Sequence, residues 1–121
     1  MILVTLNIVA PPGRREELIQ LFWSVIGPVR AEPGCLACGL YQEAGNGDVL
    51  YYMEEWATPE QLERHLRSAR YERLLTAMEA SAEPPVLRHL TVSACRGLEY
   101  VECVRLGGAA GVAGPGPPPR G

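Results

Sequence analysis

Residues 2–10 alternate in a period of two, with Ile2, Val4, Leu6 and Ile8 on one side and Leu3, Thr5, Asn7 and Val9 on the other. That period predicts a β-strand, bounded by Pro11-Pro12-Gly13. Both sides are largely apolar, so the strand needs cover on both. From residue 14 to about 29 the period lengthens, and Leu18, Leu21, Phe22, Val25 and Ile26 fall at helical spacing. Gly27-Pro28 is expected to kink or end this helix, and Pro33-Gly34 closes the connection. A period of two returns over residues 35–43 and 49–56. The Ala44-Gly45-Asn46-Gly47-Asp48 stretch between them is a hairpin signal, because glycine and asparagine tolerate positive φ. In the third strand Leu50, Tyr52, Glu54 and Trp56 share one face, while Val49, Tyr51, Met53 and Glu55 share the other.

A second helix starts at a built-in signal. Thr58 can cap it, Pro59 suits the first helical position, and Gln61 stands three residues after Thr58 as in a capping box. Leu62, His65, Leu66 and Ala69 form one stripe, and the helix continues through Leu74, Leu75 and Met78 to about residue 82. A bend near Ser68-Ala69 is compatible with the pattern. Pro84-Pro85 stops the helix, residues 86–95 read as a fourth strand, and Arg96-Gly97 as a turn. Residues 98–105 read as a short fifth strand. The order β-α-β-β-α-β is ferredoxin-like, an α+β fold with both helices on one face of an antiparallel sheet. Because the uncovered face is also apolar, a second copy packed sheet to sheet would satisfy it, giving a symmetric homodimer. The domain is expected to occupy residues 1–106. From Gly107 the chain is mostly glycine, alanine and proline, and residues 107–121 read as a flexible tail with no assigned function.

Composition narrows the chemistry. The 121 residues suit one domain, and 47% hydrophobic with 21% charged residues is ordinary for a globular protein. A formal net charge of −3 offers no electrostatic footprint for nucleic acid or an anionic membrane. All 11 basic residues are arginine, so Schiff-base and P-loop lysine chemistry are excluded. The apolar run at the N-terminus is too short to span a bilayer or to pass for a signal peptide, and a cytoplasmic address is expected. The 4 cysteines are then expected as free thiols. Cys35 and Cys38 sit three apart on a strand, so they should face opposite ways and share neither a disulfide nor a metal. Reactive CxxC pairs also normally occupy a helix start. No metal site is expected.

The remaining candidates surround His65. An imidazole near neutrality can act as a base toward an acidic phenol or enol, or can be a satisfied helix histidine bonded to a carbonyl or a glutamate. Trp56 and Tyr52 could wall an aromatic-binding pocket, with Glu54 near His65, or simply fill the core. Asn7 needs a partner on its apolar strand, either a ligand oxygen or the local backbone.

Glu32-Pro33-Gly34-Cys35-Leu36, Glu54-Glu55-Trp56, and His65 followed by Ser68 and Tyr71 together resemble the antibiotic biosynthesis monooxygenase domain. The resemblance covers roughly residues 1–105 and implies a dimeric α+β barrel. Some members of that family oxygenate phenols, anthrones and quinols with molecular oxygen, without metal or flavin. Others degrade haem, isomerise small phosphorylated sugars, or have no known activity. Cofactor-free oxygenation needs a proton acceptor, because a phenolate passes an electron to oxygen far more readily than a phenol. The resemblance therefore implies no cofactor, His65 as base, and Asn7 and Trp56 positioning a small aromatic and oxygen. Tyr52, Glu54, Arg70 and Tyr71 are the expected substrate contacts. Arg70 stands where the family often has a second histidine, and Cys38 where it often has an aromatic. Arg70 could hold an anionic substrate group, or it and Arg73 could pair with Glu63 or Glu72. The haem-degrading reading lacks its histidine, since none lies between His65 and His89. A non-catalytic dimeric binder of small ligands and an isomerase remain as alternatives.

Overall fold

The computed structural model of the chain describes residues 1–108. Four strands, β1 (Ile2–Val9), β2 (Cys35–Glu43), β3 (Asn46–Trp56) and β4 (Val86–Thr91), form one antiparallel sheet in the order β2-β3-β1-β4. Helices α1 (Arg15–Arg30), α2 (Pro59–Leu66) and α3 (Tyr71–Glu79) lie on one side of it. A last helix, α4 (Leu98–Arg105), follows β4. The arrangement is the α+β ferredoxin-like fold that the element order predicts. The tail expected from Gly107 lies, from residue 109 on, outside the described residues.

Strand alternation decides which residues make the core. Ile2, Val4, Leu6 and Ile8 of β1 and Leu50, Tyr52, Glu54 and Trp56 of β3 are buried beneath the helices. They meet Leu18, Phe22, Val25, Ile26 and Val29 of α1, Leu62 and His65 of α2, and Leu74 and Ala77 of α3. The other face, with Leu3, Tyr51, Met53, Val86 and Leu90, is half-buried or exposed and has no covering element among the described residues.

Four local expectations change. Pro28 does not end α1, which runs on to Arg30. Proline only removes one hydrogen bond near the end of the helix, and the Ala31 N–H closes the last turn on the Gly27 and Pro28 carbonyls. The long second helix is two helices, broken at residues 67–70 where the pattern allowed a bend. Strand β4 stops at Thr91, short of the expected residue 95. Residues 98–105 form a helix instead of a fifth strand. Leu98, Val101 and Val104 recur at helical spacing, the Glu99 carboxylate accepts the Gly97 N–H at 2.9 Å, and Arg105 lies in the last turn, as the helix dipole favours. No residue of α4 is buried.

Candidate functional site

The inward face of β3 carries a carboxylate into the core, which is costly unless donors meet it. Glu54 is 1% exposed and meets three polar groups. Trp56 Nε1 donates to Oε1 at 2.9 Å, the Tyr52 hydroxyl donates to Oε2 at 2.5 Å, and His65 Nε2 lies 3.0 Å from Oε2. Two of these partners stand at i−2 and i+2, so the period of the strand itself builds half of the carboxylate's shell. The Cys38 thiol extends the chain by donating to the Tyr52 oxygen at 3.2 Å.

Helix α2 delivers His65. Thr58 caps it as expected, its Oγ accepting the Gln61 N–H at 3.2 Å, with Pro59 in the first turn. The reciprocal bond of a capping box is not made, and Gln61 Oε1 is buried without a partner. His65 falls in the last turn, fully buried, its ring stacked on Trp56 at 4.8 Å between centroids and met edge-on by Tyr71 at 5.4 Å. The Ser68 hydroxyl donates to the His65 carbonyl at 2.6 Å and fixes the helix end. On the side away from Glu54, His65 Nδ1 lies 2.8 Å from Glu32 Oε2, and Arg70 lies 3.4 Å from Glu32 Oε1.

This geometry determines the protonation. Two carboxylates face the two ring nitrogens, and each hydrogen bond needs one proton. Either the ring carries both or a carboxyl is neutral. Glu54 already receives N–H and O–H donors from Trp56 and Tyr52, and Glu32 has a guanidinium beside it. Both favour anions. Burial works against charge on His65, but the bond and charge of Glu54, then those of Glu32, outweigh it and raise the pKa. Burial likewise pushes Glu54 up, yet bonds from His65, Tyr52 and Trp56 bring it below the ordinary carboxylate range. Geometry and the direction of the shift thus favour the doubly protonated ring between Glu54 and Glu32. Burial, then the charge of Glu54, pushes the Tyr52 phenol far above its usual range and the Tyr71 phenol upward.

The structure gathers His65, Glu54, Trp56, Tyr52 and Tyr71 and leaves Asn7 out. Asn7 pairs in register with Tyr51 and Val86 on the uncovered face, across the sheet from His65. Its odd number on β1 sets that direction, so within one chain it cannot share a pocket with the imidazole. Arg70 pairs with Glu32 rather than with Glu63 or Glu72. Cys35 and Cys38 are also corrected. A bulge between Cys35 and Ala37 adds a residue to β2, so Cys35 lies opposite Trp56 and Cys38 opposite Glu54, both on the helix side. Burial, then the Glu54 charge, pushes the Cys35 thiol up to about 11. Burial pushes Cys38 up to about 12. Neither is an activated nucleophile. All four cysteines are free, and among the described residues no three of His, Cys, Asp and Glu converge to hold a metal ion.

Glu32 is the functional residue that sequence reading left without a role. Gly34, at φ +88°, turns the chain after it, and the Ala57 N–H bonds the Gly34 carbonyl at 2.9 Å. The turn is thereby tied to the end of β3, beside α2. A side chain on Gly34 would collide with Gln61. The Glu-Pro-Gly run signals the turn, but nothing in it names the histidine 33 residues on.

Two spaces adjoin the cluster. One is a cavity of about 10 Å³ between the sheet and α3, lined by Tyr52, Glu54 and Tyr71 with Val4, Leu6, Leu66, Leu74, Met78 and Leu87. It has room for about one water. The other is a recess of about 520 Å³ at the β2 bulge, lined by Arg30, Cys35, Leu36, Ala37, Cys38, Tyr41, Met53 and Glu55. Neither Glu54 nor His65 lines the recess, whereas Glu54, Tyr52 and Tyr71 line the smaller space.

Comparison with known proteins agrees with this architecture. The chain is 31% identical over 67 residues to an uncharacterised protein of Synechocystis, covering 55% of this chain and 46% of that one. It thus spans about half the length of that relative. A Pseudomonas aeruginosa protein of known structure is 29% identical and superposes with a TM-score of 0.67, over 77% of this chain and 94% of that one. A Mycobacterium tuberculosis protein is 26% identical with a TM-score of 0.71, over 79% and 98%. No described helix is long and apolar enough to cross a membrane. Residues 1–77 match the model of the antibiotic biosynthesis monooxygenase family, and the chain belongs to that family.

Proposed function

We propose that this chain is a monooxygenase that adds oxygen from O2 to a small activated aromatic, of quinol or anthrone type, without a bound cofactor and as a homodimer. The observation that carries the reading is the buried Glu54–His65 pair, walled by Trp56, Tyr52 and Tyr71 and open through Glu54 onto an apolar cavity. An aromatic ring in that cavity would direct its acidic hydroxyl at the pair. The pair takes the proton, the phenolate passes an electron to oxygen, and the apolar walls keep water from the reactive intermediate. Admitting the ring requires α3 to move away from the sheet, and the connection at 67–70 is the place for that motion. Trp56 and Tyr52 position the substrate. Asn7, on the far face, takes no part within one chain. The uncovered sheet face supplies the dimer contact, since Leu3, Tyr51, Met53, Val86 and Leu90 have no cover of their own.

One observation favours a second reading, a non-catalytic dimer that binds a small apolar ligand. Both nitrogens of His65 are already engaged, and the cavity is small. Oxygen uptake by purified, metal-free protein with a panel of hydroquinones and anthrones separates the two. Saturable uptake that collapses in Glu54→Gln and His65→Gln supports the oxygenase. Uptake equal to the buffer blank across the panel supports the binder.

A further inference from the structure

The pair that faces the cavity is not isolated. Glu32, from the connection between α1 and β2, closes the far side of His65 at 2.8 Å, and Arg70, from the turn between α2 and α3, holds the other oxygen of Glu32 at 3.4 Å. His65 is completely buried, whereas the Glu32 side chain is 14% exposed and that of Arg70 38%. A line of alternating charge therefore runs from solvent to the core: guanidinium, carboxylate, imidazolium, carboxylate. We propose that Glu32, braced by Arg70, is a positioning residue that holds the His65 ring doubly protonated between two carboxylates, and so sets the pH at which the buried site can accept a proton. The inference rests on the acid–base role proposed above for Glu54 and His65, and it changes how that role is exercised.

A neutral imidazole leaves the pair the better base, because a carboxylate that faces an imidazolium and two further donors accepts a phenolic proton only steeply uphill. While Glu32 keeps a proton on Nδ1, His65 stays cationic and holds Glu54 low. The site becomes competent when that proton leaves through Glu32, the one member of the Glu32–His65–Glu54 line with appreciable solvent contact. The ring is then neutral and Glu54 keeps its charge of −1 with no imidazolium opposite it, so Glu54, which lines the cavity, becomes the stronger acceptor for the substrate proton. The groups facing His65 are Glu54 and Trp56 from β3, Glu32 from the α1–β2 connection and Tyr71 from α3. Tyr52 and Cys38 stand one and two bonds behind Glu54, and both remain protonated. Glu32 is thus the carboxylate that can be altered without touching the wall of the cavity. Arg70 acts with opposite sign. It draws charge from Glu32, so removing it strengthens the hold of Glu32 on the proton, and removing Glu32 releases it.

The test reads His65 directly in the full chain. Long-range ¹H–¹⁵N spectra report the protonation of each ring nitrogen as pH is raised, and the only other histidine is His89, exposed on β4. In the wild type both His65 nitrogens should be protonated at neutral pH. Glu32→Gln, which keeps the shape, should move the midpoint down by about one unit or more, a tenfold weaker hold. Arg70→Met should move it up. If Glu32→Gln does not fold, the upward shift in Arg70→Met carries the test, because that change is at the surface. A neutral His65 in the wild type at neutral pH overturns the proposal. So does a midpoint unmoved by Glu32→Gln, or a downward shift in Arg70→Met. Where a substrate is turned over, kcat/KM should rise with pH through the same midpoint and shift with it in both variants. Because the spectra need no turnover, absence of oxygen uptake would remove the oxygenase reading and leave the assignment of Glu32 standing or falling by its own measurement.

Discussion

Replacing Glu54 by glutamine should cost about 3–5 kcal/mol of stability, the range for breaking a buried ion pair on one side. The structure explains why an isosteric change is so damaging. Glu54 accepts from Trp56 Nε1, the Tyr52 hydroxyl and His65 Nε2. Glutamine keeps one oxygen, and its amide nitrogen must then point a donor at another donor. At least one buried group loses its partner, a penalty of about 1–3 kcal/mol by itself. Loss of the charge opposite the imidazolium adds to it, and His65 limits the damage by giving up its proton. Against a domain stability of about 5–15 kcal/mol the variant should still fold. With a urea slope of about 2 kcal/mol per molar, the unfolding midpoint should drop by roughly 2 M. Fluorescence is a direct assay in a Trp23→Phe background, since Trp23 is 59% exposed and Trp56 is fully buried beside the site. Measurements at several protein concentrations separate any contribution of dimerisation. Glu54→Leu, which leaves all three donors unmet, should fall further. A Glu54→Gln midpoint within about 0.3 M of the wild type, at the same slope, would refute the idea that this carboxylate organises the core.

Three further outcomes are expected. His65 has a raised folded pKa, so its stabilising contribution is complete below the ordinary imidazole value near 6.5 and fades as pH rises through the raised value. Glu54 has a lowered one, so its contribution is complete above the ordinary carboxylate value near 4.3 and fades as pH falls through the lowered value. Urea midpoints should therefore be highest from about pH 5 to 6.5 and decline on both sides, and His65→Gln should abolish the alkaline decline. Gly34→Ala should destabilise the chain by more than about 1 kcal/mol, because φ is +88° and the new methyl meets Gln61. An unchanged melting temperature would contradict that placement. Met53→Glu, at the middle of the uncovered sheet face, should convert the proposed dimer to monomer in sedimentation with an unchanged circular dichroism spectrum. A wild type that sediments as a monomer at about 10 μM would remove the proposed contact, since a stable interface of standard size holds at such concentrations.

Much of this protein is written locally in its sequence. The strict alternation Leu50, Tyr52, Glu54, Trp56 places four side chains on one face and gives Glu54 two of its three partners. Thr58 and Pro59 fix where α2 begins, and with that the position of His65. These signals rest on periods and caps spanning a few residues, which the backbone geometry of a strand or helix imposes wherever the segment ends up. The tertiary structure decided the rest. The second partner of His65 is Glu32, which a turn at Gly34 brings within 2.8 Å from 33 residues away. One bulged residue put Cys35 and Cys38 on the same face, reversing the parity expected of residues three apart. Residues 98–105 alternate well enough for a strand and space well enough for a helix, and they take the helix, where internal hydrogen bonds satisfy the backbone without a partner strand. Asn7 sits on a strand apolar on both sides, so its own segment could not say which face the helices would cover. Local periodicity thus fixes which residues share a face, while only packing of the whole chain fixes what each face meets and which charges are held together out of water.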